Sequence, residues 1–268
     1  MRPHPTVEAV ADAYLSLADE AAPGVIEGLY LSGSTALDDY RPGSSDVDFA
    51  AVVAAPPDDS LAETLRAVHE RLIGRFPAPH FDGTYVTWEE LASHPDDVPP
   101  GPSTHMGVFA RADDFSRDLV TWHTLAQCGV AIRGPRAPRI AVDPEGLKRW
   151  VRGNLDTYWR GWLRDGGDPV SPRGQGMLSD YGTMWCVAGV GRMRYTLDTG
   201  GVTSKRGGCE HARAVLDSRW RRILDEALRI RADAGGSSLY DDPAARRDDV
   251  LAYMEVILAD ARAGGAGG

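Results

Sequence analysis

Hydrophobic and polar positions along this chain follow two different periods, and the change from one to the other divides it. Between Val7 and Leu17 apolar residues recur at about helical spacing, and "GVIEGLYLSGS" (Gly24–Ser34) then reads as a strand that ends in a Gly/Ser turn. The stretch "YLSGSTALDDYRPGSSDVDFAAVV" (Tyr30–Val53) passes from that run through a polar turn into a second apolar segment. In "PPDDSLAETLRAVHERLIGRF" (Pro56–Phe76) Asp and Ser are capping candidates ahead of an amphipathic helix, and "FDGTYVTW" (Phe81–Trp88) predicts a strand. "PDDVPPGPSTHMG" (Pro95–Gly107), rich in Pro, Gly and Asp, is expected to be an exposed, mobile loop. "DLVTWHTLAQCG" (Asp118–Gly129) predicts a helix closing at Gly129, followed by a short strand in "VAIRGP". This part of the chain is α/β in character.

Beyond Asp143 no run reads as a strand. Pro144–Asp165, Met177–Gly200, Gly208–Ala232 and Asp241–Ala263 all suit helices. The boundary is expected between residues 135 and 145, giving one domain over 1–140 and a helical one over 141–268. No internal repeat is found, and the terminal "GGAGG" is expected to fray.

Composition narrows the function classes. A chain of 268 residues with 43% hydrophobic and 25% charged residues can build a sizeable core over two units. Its net charge of -10 disfavours a nucleic-acid groove, which needs clustered Lys and Arg in excess, and favours cationic ligands. Arg219, Arg221 and Arg222 cluster, but a short basic run on a helix reads as a solvated face. Cys128, Cys186 and Cys209 form no C-x-x-C and no even framework, which fits a reducing compartment without a cysteine zinc site. The N-terminus lacks an apolar h-region and no stretch reaches the ~18 apolar residues of a membrane span. A cytoplasmic monomer is expected, with no membrane or nucleic-acid partner.

Against that background Asp46 and Asp48 stand out. On a strand they share one face while Val47 and Phe49 share the other, so the apolar face packs and the acidic face needs compensation. A raised pKa, a basic partner or a divalent cation are the physical remedies for two such close carboxylates. Upstream, Gly33 allows close approach to the backbone, Ser34 supplies a hydroxyl, and "STALDD" reads as a short helical segment. An anion site joined to a dication site by one turn describes a cradle for a metal–nucleoside triphosphate.

The sequence G33-S-T-A-L-D-D-Y-R-P-G-S-S45-D46-V-D48 resembles the GS…D-x-D signature of polymerase-beta-like nucleotidyltransferases. It looks like their streptomycin/spectinomycin adenylyltransferase branch, and "WCVAGVGRMRYTLDTGGVTSK" (Trp185–Lys205) resembles the helical C-terminal domain of that branch. The resemblance implies an α+β nucleotidyltransferase domain with a mixed sheet and flanking helices, followed by an all-α C-terminal bundle. It also implies an enzyme of antibiotic resistance that transfers AMP from Mg-ATP to a hydroxyl of a cationic aminoglycoside, streptomycin or spectinomycin, with release of pyrophosphate. By this likeness Asp46, Asp48 and Asp82 are the catalytic and metal-binding carboxylates, with two Mg²⁺ expected. Asp82 falls where the branch has Glu, so it matches a base, a metal ligand or both. Gly33, Ser34 and Ser45 match phosphate-contacting positions, and Arg192 and Lys205 match cations directed at the triphosphate. The adenine-stacking aromatic of the branch falls near Arg231, which leaves the nucleotide preference open around a default of ATP.

Streptomycin-competent members of the branch use a tryptophan and an acid on the first helix of the second domain, and "DTYWRGWLRDGGD" offers Trp159, Trp162, Asp165 and Asp168. Trp159, Trp162 and Asp165 are the expected substrate contacts, although Tyr158, Trp159 and Trp162 are also spaced as an ordinary core helix would have them. His105, His123 and His211 lack metal-ligand spacing and read as packed or surface histidines, and "GVGRMR" lacks the strand-to-helix context of a dinucleotide site. The alternatives are nucleotidyl transfer to another small-molecule or protein hydroxyl, and a non-catalytic relative that binds nucleotide or antibiotic.

Overall fold

The computed structural model describes residues 2–232 and 235–263, so the expected fraying of the Gly264–Gly268 tail lies outside the described residues. The chain divides into two compact units, Met1–Asp143 and Pro144–Gly268.

The first unit is a six-stranded mixed sheet in the order β5-β4-β3-β2-β1-β6. Its elements are α1 (Pro5–Ala21), β1 (Ile26–Leu31), α2 (Gly33–Ala36), β2 (Val47–Val53), α3 (Asp59–Arg75), β3 (Phe81–Thr87), α4 (Trp88–Leu91), β4 (Gly101–His105), β5 (Val108–Asp113), α5 (Leu119–Cys128) and β6 (Val130–Arg133). Only β2 and β3 run parallel, joined through α3; the other pairs are antiparallel. Caps sharpen the helix starts: Asp58 accepts from the Leu61 amide and Asp118 from the Thr121 amide.

Alternation decides which helix covers which face. Phe49, Ala51 and Val53 of β2 join Val10, Tyr14 and Leu17 of α1 and Leu65, Val68 and Leu72 of α3 in one core. Ala50 and Val52 face the other way and pack with Leu91, Trp122 and Leu125 from α4 and α5. A central strand covered on both faces must be apolar throughout, which is why "VDFAAVV" departs from simple alternation and why Asp48 is conspicuous in it. At the β6 edge Arg133 makes a two-pronged ion pair with Asp19 of α1, at 2.6 and 2.8 Å.

One expected loop is a strand. Pro95–Asp97 forms a helical turn, and Gly101–His105 is β4, with Pro102, Ser103 and Thr104 buried between β3 and β5. Pro102 lies where the β4–β5 ladder shifts register, so its missing N–H breaks no regular pair. The β4–β5 hairpin closes through Met106 (φ 51°) and Gly107 (φ 76°), two positive φ values in succession as a type I′ turn requires.

The second unit consists of α6 (Pro144–Asn154), a widened turn at Leu155–Trp159, α7 (Arg160–Gly166), α8 (Pro172–Met177), α9 (Asp180–Thr199), α10 (Lys205–Val215), α11 (Arg221–Arg231) and α12 (Pro243–Ala263). No strand occurs among its described residues. The long α9 runs through a core that includes Leu155, Trp159, Val187, Val190, Ile223, Tyr253 and Ile257. In the same unit Glu226 is fully buried and held by Arg229, Arg246, the Ser238 hydroxyl and the Leu239 amide. Burial pushes its carboxyl up, but the hydrogen bonds from Arg229, Leu239, Ser238 and Arg246 win and hold it at about 2. Removing one member of such a buried ionic group costs roughly 3–5 kcal/mol, because the partner charges stay behind.

Candidate active site

The carboxylates singled out in the sequence meet where β1 leaves the sheet and β2 and β3 enter it. The Ser32 amide donates to the Asp48 carbonyl at 2.9 Å, so the exit of β1 is tied to the entry of β2. Gly33 follows with φ +52°, a left-handed conformation that a residue with Cβ adopts only at a cost. A Cβ at this position would lie 1.8 Å from Oδ2 of Asp48. The Asp48 carboxylate therefore occupies the space that the missing side chain leaves, against the backbone of the turn.

Asp48 and Asp82 are register partners across the parallel β2–β3 pair. Both lie on the sheet face of Ala50 and Val52, because alternation sends Phe49 and Phe81 to the other side, where their rings stack 4.2 Å apart. Asp46 precedes β2 as an exposed residue of the turn, which corrects the reading of both acids as strand residues. It nevertheless acts electrostatically on both neighbours, raising the titration of Asp82 and of Tyr40.

Asp82 is the buried member, 3% exposed. Its Oδ2 accepts from the Met106 amide at 2.9 Å, while its Oδ1 has no hydrogen-bond partner. Burial pushes the carboxyl above the ordinary range, the negative charge of Asp46 adds to that, and the Met106 amide, His80 and His105 oppose it. The Ser34 hydroxyl is likewise buried without a partner, close to Gly33 in α2. Ser45 accepts from the Arg41 amide at 3.0 Å and so shapes the turn before Asp46. Two orphaned polar atoms beside a set of acids are what a site for an absent polar ligand presents.

These donors suit a divalent cation in one particular way. Among the described residues no three His, Cys, Asp or Glu side chains are gathered to hold an ion by themselves. Mg²⁺ is characteristically held by one or two carboxylates completed by substrate phosphates and water, and Asp46 and Asp48 are the side chains here of the type that could take that part.

The remaining predicted residues belong to the helical unit. Arg192 lies on α9, half-buried, and Lys205 opens α10 with Nζ 5.2 Å from the Trp185 ring centre. Arg231 ends α11 and is 6% exposed. Trp159 corrects an expectation: it is 2% exposed and lies in the helical core, where a Cβ on Gly189 would come within 2.1 Å of its indole. Trp162 is half-buried under the Arg173 guanidinium, 5.4 Å away, and Asp165 is already paired with Arg164 at 2.6 Å and Arg173 at 2.9 Å. The histidines behave as structural groups: His105 stacks on Phe115, His123 accepts from the Asp143 amide, and His211 pairs with Asp198.

Sequence reasoning missed Met106, whose contribution is a backbone amide. The available signal was "THMGVF", two extended runs separated by two residues with Gly second, which is a hairpin pattern. A groove of about 510 Å³ opens at the opposite ends of β2 and β3, lined by Ala54, Thr87, Trp88, Glu89 and Glu90. Its Glu90 is committed to a capping box with Thr87, so it gathers no reactive set.

No protein-family model matches the chain, and a search of curated proteins finds no match. Solved structures do match it. One is the spectinomycin adenyltransferase AAD(9) from Enterococcus faecialis, crystallised with ATP and spectinomycin, with a TM-score of 0.63 and 14% sequence identity. The match covers 92% of this chain and 99% of that one. The chain therefore has the fold of that adenyltransferase.

Proposed function

We propose that this protein is a nucleotidyltransferase that moves AMP from ATP to a hydroxyl of an aminoglycoside-type antibiotic, conferring resistance. The observation that carries the reading is the Asp48–Asp82 pair, one carboxylate seated against Gly33 and the other buried with an orphaned oxygen. The fold shared with a spectinomycin adenyltransferase supports it.

In this reading Gly33 and Ser34 receive the triphosphate, the glycine by permitting close backbone approach and the serine through its unpartnered hydroxyl. Asp46 and Asp48 would hold Mg²⁺, which when bound supplies neutralisation of the triphosphate charge. Asp82 keeps one oxygen tied to Met106 while the other is buried without a partner, and it is the carboxylate assigned to take the proton of the acceptor hydroxyl; its raised titration suits it to that role. Arg192 and Lys205 are assigned to the phosphates as counter-charges on the resemblance of their segment alone. Catalysis is then mainly positioning and charge neutralisation, with pyrophosphate leaving.

For the acceptor, spectinomycin is the better candidate than streptomycin. The tryptophan expected to face streptomycin is a core residue, and the acid beside it is neutralised by two arginines. Mass spectrometry of an aminoglycoside panel incubated with protein, Mg²⁺ and each nucleoside triphosphate tests the whole reading. An AMP adduct of spectinomycin is expected. Nucleotide consumption with no adduct on any drug would point to another acceptor, and the absence of both would end the transferase reading.

A further inference from the structure

Met106 is the first residue of the two-residue β4–β5 turn. Its side chain is 65% exposed, and its backbone sits at φ +51°, which is unfavourable for a residue with a long side chain. It lies between His105 and Val108, which pair with each other across the β4–β5 ladder, so its own amide stands outside that ladder. That amide points instead to Oδ2 of Asp82 at 2.9 Å. The turn is fixed relative to Asp82 by short connections: Gly83 pairs with Thr104, the Thr104 hydroxyl donates to the Phe81 carbonyl at 2.9 Å, and His105 stacks on Phe115 at 4.3 Å.

We propose that the β4–β5 turn is a positioning device for the reacting carboxylate, in which the Met106 amide ties Oδ2 of Asp82 and so fixes the orientation of the group, leaving the buried Oδ1 as its one oxygen without a hydrogen bond. Met106 is a positioning residue; it acts through Asp82. The inference rests on the nucleotidyl-transfer reading for its consequence, but the contact can be measured without turnover.

Hydrogen exchange of the Met106 amide reads the contact directly. Protection is expected in the wild-type protein and in Asp82→Asn, which keeps an acceptor oxygen, and is expected to fall about tenfold or more in Asp82→Ala. Replacing Met106 by its α-hydroxy analogue turns the amide into an ester and removes the donor while keeping the side chain. That variant is expected to lose roughly ten- to a hundredfold in kcat, the weight of a hydrogen bond to a charged group, with KM for ATP changed less than about twofold. Val108→Ser, on the same turn and 68% exposed, is expected to keep wild-type kcat. Equal exchange in wild type and Asp82→Ala, an unchanged kcat in the ester, or a joint loss of kcat, KM and melting temperature would each overturn the proposal. A protected amide in a protein that adenylylates no acceptor would instead overturn the transfer reading and leave the hold on Asp82 standing.

Discussion

Asp48 and Asp82 stand side by side on adjacent parallel strands, Cα opposite Cα, at the entry of the only parallel pair in the sheet. Like charges directly opposite each other on paired strands are in general destabilising. Asp48→Asn removes one charge and almost no volume. Thermal stability is therefore expected to stay the same or rise slightly, while nucleotidyl transfer falls by about a hundredfold or more. A circular-dichroism melt and adduct mass spectrometry on the same sample check both halves, and full transfer by the variant would remove Asp48 from the site.

Gly33 and Asp48 form a second coupled pair. A Cβ on Gly33 would collide with Oδ2 of Asp48 and would hold φ at +52°, so Gly33→Ala is expected to cost about 1–3 kcal/mol and to displace the carboxylate. Part of that cost is the collision, so Gly33→Ala is expected to be less damaging in an Asp48→Ala background. Urea unfolding of the two single variants and the double variant measures the coupling. Strict additivity would show that the turn and the carboxylate are independent.

The helices and the central strands were legible because their signals are local. The capping Asp ahead of α3 and the apolar run Phe49–Val53 of β2 are such signals. β4 was not legible, because Gly101 and Pro102 read as loop residues and only pairing with β3 and β5 on either side makes them a strand. The acids of the site were legible as a pattern; the orphaned Oδ1 of Asp82 and the amide that holds Oδ2 were not, since both depend on contacts distant in sequence.

Trp159 is a residue type that suits a ligand and lies in the helical core, with its indole Nε1 buried without a hydrogen-bond partner. Its indole lies against Gly189 in the helical interior, so Trp159→Ala is expected to destabilise by about 3–5 kcal/mol and to lower turnover of every accepted drug in proportion to the folded fraction. Steady-state kinetics with spectinomycin and streptomycin below the melting transition decide the point. Loss confined to streptomycin would return Trp159 to the drug site.

His69 makes the first unit sensitive to acid. Its ring is 3% exposed, with Nε2 2.8 Å from the Tyr85 hydroxyl, which accepts in turn from Tyr14 at 2.9 Å. Because Tyr14 donates to the Tyr85 oxygen, the Tyr85 proton is available to Nε2, and that arrangement needs the neutral imidazole. Burial accordingly pushes the His69 titration down to about 3. The folded value lies below the ordinary value near 6.5, so the unfolded chain takes up a proton that the folded one excludes. Stability from this group is complete above about pH 6.5 and is lost progressively as pH falls toward 3, by roughly 4–5 kcal/mol in all. His69→Gln keeps a polar partner for Tyr85 and removes the titration. Its melting temperature is expected to start lower at pH 7 and to decline less steeply between pH 7 and pH 5 than that of the wild type; parallel declines would show that His69 is protonated in the folded protein.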